Sequence, residues 1–176
     1  MIMHPGRQEL LLPAQPWFIA TSLLLALLLN LFTHQWLGRS GWVPDWLAMT
    51  LLFWGVHQPR RIGVGWAFVL GLLLDVHQGA LLGQHALAYS LLGYLAITFH
   101  RRVLWFGLFS QGLHLLPVLL LVHLVQWLVR LLAGDGWPDW SWWFAPALEA
   151  VLWPLVSVLL LAPQRRAPDH DLNRPL

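Results

Sequence analysis

The chain has 176 residues, 58% of them hydrophobic and only 10% charged, with a net charge of +2. A soluble domain carries about 25% charged residues, so this composition excludes a single water-soluble core and makes the chain an all-α, polytopic membrane protein. All ten basic residues are arginines spread over loop positions, which excludes a clustered nucleic-acid-binding face. The absence of cysteine excludes disulfides and thiolate chemistry.

Residues 1–16 contain Arg7, Glu9, Pro13 and Pro16 and are expected to be a short surface-lying or disordered lead. The first predicted span covers 17–37. Its apolar run is longer than a signal-peptide core and no A-x-A site follows, so it is expected to stay in the membrane. Asn30 and His34 lie one turn apart in its second half. A link at 38–43 with Arg39 leads to a short second span, 44–57, where Pro44 and Asp45 suit a helix start. Its shortness implies tilt, partial burial or a thinned bilayer. Gln58, Pro59, Arg60 and Arg61 form a turn. Spans 3 and 4, at 62–76 and 79–99, make a hairpin joined by a polar link at 76–78. Span 5, 103–132, would be roughly 45 Å long against a hydrocarbon core of about 30 Å, and Pro117 should kink it. A Gly/Pro/Asp loop at 133–140 precedes span 6, 141–161, and the tail from 163 to 176 is polar. These spans form one integral membrane domain.

Six spans place both termini on one side. Arg7, Arg60, Arg61, Arg101, Arg102, Arg165, Arg166 and Arg174 fall on that side, against Arg39 and Arg130 on the other. The positive-inside rule then makes both termini cytoplasmic. Trp36, Trp42, Trp46, Trp137, Trp140, Trp142 and Trp143 would form an aromatic belt at the outer interface.

The hairpin of spans 3 and 4, GVGWAFVLGLLLDVHQGALLGQHALAYSLLGYL, carries two small-residue stripes. Gly63, Ala67, Gly71 and Asp75 recur every fourth residue. Gly79, Gly83, Ala86, Ser90 and Gly93 recur at spacings of four and three. Residues so spaced share a helix face, and small faces let helices approach closely in lipid. They are candidates for internal helix packing or partner binding, with spans 3 and 4 packing on each other or on span 1.

Asp75, His85, His123 and Glu149, with His34, fall in the outer half of the layer at depths compatible with one outward-facing polar pocket. Pairing of either acid with a histidine would lower the burial cost of both groups. Three roles fit such a set: structural glue between helices, a partner or ligand pocket, or a segment of an ion pathway. No H-E-x-x-H motif or histidine pair at i,i+4 suggests a metal, and none of the nine histidines marks a haem. No G-x-S-x-G or P-loop suggests an enzyme. No cofactor is expected.

The order of short motifs has a further meaning. P-D-W-L at 44–47 opens the short second span, and Arg60–Arg61–Ile62–Gly63 follows it. Then come A-F-x-x-G-L-L-x-D at 67–75, G-x-x-L-G at 79–83 and G-Y-L at 93–95. This arrangement resembles the rod shape-determining MreD family of bacteria, closely over 44–95 and loosely over the whole chain. The resemblance implies a non-enzymatic inner-membrane scaffold that binds the single-span protein MreC. It further implies a place beside the actin-like MreB filament, a RodA-type glycosyltransferase and a class B penicillin-binding transpeptidase in lateral peptidoglycan synthesis. The family fold is similar to the six-span substrate-binding subunits of energy-coupling-factor transporters. A vitamin-binding subunit is therefore the alternative, although the leucine-rich span 1 shows no clear coupling stripe.

Overall fold

The computed structural model describes residues 14–37, 42–134, 136–137 and 140–164. The expected N-terminal lead before residue 14, the polar tail from 165, and Arg7, Arg39, Arg165, Arg166 and Arg174 lie outside the described residues.

Among the described residues the chain is helical. Six α-helices run in order: α1 (Pro16–Leu37), α2 (Trp46–His57), α3 (Val64–Gln78), α4 (Gln84–Leu104), α5 (Leu108–Leu132) and α6 (Phe144–Leu161). A 3₁₀ turn at Trp140–Trp143 leads into α6. Three segments are long and apolar enough to cross a membrane, Pro16–Trp36, Leu108–Leu132 and Trp140–Gln164, and α2 and α3 are shorter apolar helices. The connections reverse the chain from each helix to the next, and the pairs α1–α2, α3–α4, α4–α5 and α5–α6 pack on each other, whereas α2 packs on α4 rather than on α3. The bundle thus has two ends. One collects Arg60, Arg61, Arg101 and Arg102; the other collects Asp45, Asp75 and Glu149.

α2 lies at the centre. Every residue from Leu47 to Val56 is buried, as expected for a helix that is apolar all round. Phe53 and Trp54 are fully buried beside Trp153 of α6. The indole of Trp54 donates to Ser22 Oγ of α1 at 2.8 Å, which satisfies its one polar atom. Trp153 likewise donates to Gln111 Oε1 at 3.1 Å.

Helix contacts follow small residues. A Cβ added to Gly71 would stand 2.6 Å from Ala86 Cα, so α3 and α4 touch backbone to backbone there. Gly93 faces Ala67 one step along the same seam, with 3.2 Å between an added Cβ and the alanine Cβ. Two seams carry no counterpart in the predicted stripes. Gly55 of α2 meets Ala96 of α4, and Gly112 of α5 meets the Ala150 carbonyl of α6.

The predicted stripes need correction at their ends. Helix α3 continues to Gln78, and the link to α4 is 79–83 rather than 76–78. Gly79 and Gly83 are therefore not on a packing face. They cap the two helices with φ of +57° and +100°, conformations that L side chains rarely adopt. Gly63 is the extended N-cap of α3 with open space around it. Ser90 is half-buried and returns its hydroxyl to the Ala86 carbonyl at 2.7 Å. The remaining seam is Ala67, Gly71, Ala86 and Gly93.

The expected tryptophan belt also divides. Trp36, Trp42, Trp137 and Trp140 are exposed, at 75%, 60%, 80% and 86%. Trp46, Trp142 and Trp143 are turned partly inward instead. Trp142 stacks under Arg130, and Trp143 meets Trp127 edge-on.

Replacing Gly71 by leucine should force α3 off α4, an overpacking penalty of about 1–3 kcal/mol or more. Thermal denaturation in detergent should show a clear fall in Tm. Gly65→Ala, where an added Cβ meets nothing within 4 Å, should leave Tm unchanged. Equal Tm values for the two variants would refute the backbone seam.

Candidate functional site

A helix starts with backbone N–H groups that have no partner within the helix. When such a start is buried, those groups need acceptors from elsewhere. The polar end of the bundle meets this demand at two helices.

Helix α4 starts against α3. Its N-cap, Gly83, has no side chain to offer. Asp75, in the last turn of α3 and fully buried, reaches across instead. Its Oδ2 accepts from the Gly83 and Ala86 N–H groups at 2.9 and 3.3 Å. Its Oδ1 accepts from the His85 N–H at 2.8 Å and from His85 Nδ1 at 2.7 Å. The Gln84 N–H goes to the Leu81 carbonyl at 3.0 Å, so the whole first turn of α4 is satisfied. A carboxylate at a helix N-terminus is also favoured by the helix dipole. The close approach at Gly71, one turn before Asp75, brings the carboxylate within reach.

Helix α2 is capped by three other helices as well as by itself. Asp45, its N-cap, accepts from the Ala48 N–H at 2.9 Å. Asn30 of α1 binds twice: its Oδ1 accepts from the Trp46 N–H at 3.0 Å, and its Nδ2 donates to Asp45 Oδ1 at 2.8 Å. Tyr89 of α4 donates its hydroxyl to Asp45 Oδ2 at 2.6 Å. Glu149 of α6 accepts the Asp45 N–H on its Oε1 at 2.9 Å. Asn30, Tyr89 and Glu149 are at most 1% exposed.

The four residues expected to form one polar pocket fall into two pairs. Asp75 binds His85, as above. His123 Nε2 stands 3.5 Å from Glu149 Oε1, too far for a strong hydrogen bond, while its Nδ1 donates to the Leu119 carbonyl at 3.0 Å. A cavity of about 40 Å³ opens between the pairs. His85 and His123 line it together with His34, Asp45, Gln126 and Trp142, whereas Asp75 and Glu149 sit behind the wall. That volume holds a few waters. Gln126 Nε2 and Trp142 Nε1 are buried without a partner among the described residues and are the groups such waters would bridge, while Glu149 Oε2 is buried without one behind the wall. Among the described residues no three His, Asp or Glu side chains converge as metal donors.

Asp45 is the centre of this end, and sequence reasoning gave it only the local role of a helix start. Asn30 was noted only for its spacing from His34, and Tyr89 and Gln126 were missed. The available signal was P-D-W-L itself: an aspartate at the start of a helix with no polar face must be buried on several sides.

A family model described as rod shape-determining protein MreD matches residues 14–162. The chain belongs to the MreD family. It is also similar to the rod shape-determining protein MreD of Haemophilus influenzae, at 28% identity over 127 residues, 72% of this chain and 78% of that protein. No solved structure matches the chain. Rod-shape determination is the role that comes with the MreD family, a shape-determining family rather than an enzyme family. Neither match supports the vitamin-transporter alternative.

Tyr89→Phe removes the donor on Asp45 Oδ2, a hydrogen bond to a charged group worth about 1.5–3 kcal/mol. Asn30→Ala removes two further bonds at the same cap. Because both act on Asp45, their effects on unfolding should be non-additive in a double-mutant cycle. Strict additivity would show that the cap is not one network. At α4, Asp75→Asn should lower Tm more than His85→Ala, because the new amide N–H₂ would confront backbone donors while His85→Ala removes one donor of four.

Proposed function

We propose that the chain is a non-enzymatic scaffold of the bacterial elongation complex. It crosses the inner membrane six times with both termini in the cytoplasm, binds MreC, and supports lateral peptidoglycan synthesis beside MreB, a RodA-type glycosyltransferase and a class B penicillin-binding transpeptidase. The observation that carries this reading is the MreD family match across residues 14–162. The geometry is in keeping with it. Asp45 and Asp75 have both carboxylate oxygens engaged in tying helix ends together, and Glu149 holds the Asp45 N–H. That is the construction of a rigid block. The arginines Arg60, Arg61, Arg101 and Arg102 at one end favour a cytoplasmic position for that end.

The Ala67–Gly71–Ala86–Gly93 seam is filled by α3 and α4 themselves, so a partner helix needs another face. Trp66, Val69, Leu73 and Val76 recur at i, i+3, i+7 and i+10 on α3 and are 57%, 48%, 52% and 67% exposed. We assign the MreC contact to this aromatic and aliphatic stripe.

Depletion of the protein should turn rods into spheres; a nutrient requirement with normal shape would favour a transporter instead. Photo-crosslinkers at Trp66 and Leu73 should capture MreC, while crosslinks confined to Phe109 or Leu113 of α5 and Leu155 or Leu159 of α6 would exclude the stripe. A fluorescent reporter that matures only in the cytoplasm should be bright when fused at Leu176, and a dark fusion would reverse the orientation.

A further inference from the structure

The arginine end holds chemistry that the scaffold reading does not use. The three carboxylates among the described residues are all at the opposite end. Arg61 donates to the Ala14 carbonyl at 2.6 Å, but Arg101 and Arg102 are exposed and have no acidic partner among the described residues. Their place in the last turn of α4 favours a cation, which accounts for the charge but not for its surroundings.

Arg102 borders two adjoining depressions. One is a shallow surface hollow formed by Arg101, Arg102, Leu104 and Trp105, with Trp105 91% exposed. The other is a cavity of about 280 Å³ between α2, α4 and α5. Its walls include Val56, Leu95, Phe99, Leu115 and Val118, and its only polar side chains are Arg102 and His114. Pro117 also lines it; having no N–H, it cannot bond the carbonyl one turn back. His114 is turned toward its own helix, its Nδ1 on the Ser110 carbonyl at 2.8 Å and its ring stacked on Phe106. The result is an apolar slot with, at one edge, an exposed indole and a pair of cations that have no acidic partner among the described residues.

We propose that this end of the bundle holds one anionic phospholipid, with its phosphate on Arg101 and Arg102 and one acyl chain in the slot. An empty apolar slot leaves its walls without dispersion partners, and a hydrocarbon chain supplies them. Arginines beside an interfacial tryptophan match the level of a lipid phosphate. The charge selects an anionic lipid over a zwitterionic one. This inference rests on the membrane reading of the chain, and on neither the MreC partnership nor the orientation.

Native mass spectrometry of the full chain in neutral detergent tests it, with phosphatidylglycerol and phosphatidylcholine of identical acyl chains as probes. The unaltered chain should retain one phosphatidylglycerol and release phosphatidylcholine at least tenfold more readily. Arg101→Gln with Arg102→Gln should weaken phosphatidylglycerol by roughly fivefold per arginine and abolish the preference. Val118→Phe and, in parallel, Leu95→Phe fill the slot and should weaken both lipids alike at unchanged Tm. Equal retention of the two lipids by the unaltered chain would overturn the proposal. So would an arginine variant that keeps its preference, a folded slot variant that binds both lipids normally, or displacement by inorganic phosphate alone. The arginine variant alters exposed side chains and decides the matter if neither slot variant folds. Loss of lipid binding with normal rod shape, or the reverse, separates this inference from the scaffold reading.

Discussion

The fold depends on capping buried helix starts with acceptors from other helices. Helix α2 has 12 residues, about 18 Å at 1.5 Å per residue, while a hydrocarbon core is about 30 Å thick. Packed among longer helices, it cannot reach both water interfaces, so its first N–H groups must find acceptors inside the protein. Asp45, Asn30 and Glu149 supply them. Asp75 does the same for α4. An unsatisfied buried donor costs about 1–3 kcal/mol, and several at one end would exceed the margin of an ordinary domain. The acids are therefore placed by the backbone they serve, which explains why all three gather at one end.

This placement links the small residues to the charged ones. Gly71 and Asp75 are one turn apart on α3, so the closest backbone contact with α4 lies beside the cap that needs it. Gly83 then turns the chain at a positive φ so that its own N–H points at the carboxylate. Small residue, acid and left-handed glycine work as one device. A side chain at position 71 would disturb the Asp75 bonds as well as the packing.

Much of this was legible in the sequence, and the illegible part has a pattern. Six helices, their order and the approximate limits of α1 and α2 followed from apolar runs and punctuation. That an acid would pair with a histidine followed from their matching depth, but which histidine Asp75 takes, His85, is shown only by the fold. The roles of Gly79 and Gly83 did not follow, because a small-residue period continues unbroken from helix into loop and cannot tell a packing glycine from a turning one. Asp45 was read as a local cap because the three residues that converge on it are 15, 44 and 104 positions away. Trp142 and Trp143 were assigned to the interface by their type, but the 3₁₀ turn at Trp140–Trp143 rotates them toward Arg130 and Trp127.

Helices in lipid gain nothing from hiding apolar surface, so each pair needs close packing or polar bonds. The bundle uses both, often at the same pair: Asp75 ties α3 to α4 beside the Gly71 contact, and the Trp153 indole donates to Gln111 beside the Gly112 contact. Glycine–alanine contacts hold α3 to α4, α2 to α4 and α5 to α6. Leucine-rich α1 has no glycine, and its outer face, including Leu24, Leu25, Leu28 and Phe32, is at least half exposed. The helix packs into the core through Ile19, Leu23 and Ala26 and sets Phe18 edge-on against Trp54, and three polar bonds add to this, two at Asn30 on the α2 cap and one from the Trp54 indole to Ser22. Two separated polar ties reinforce the rotation and height that this packing gives the helix. Because one of those ties ends on Asp45, the position of the most peripheral helix is set by the same carboxylate that starts the most central one.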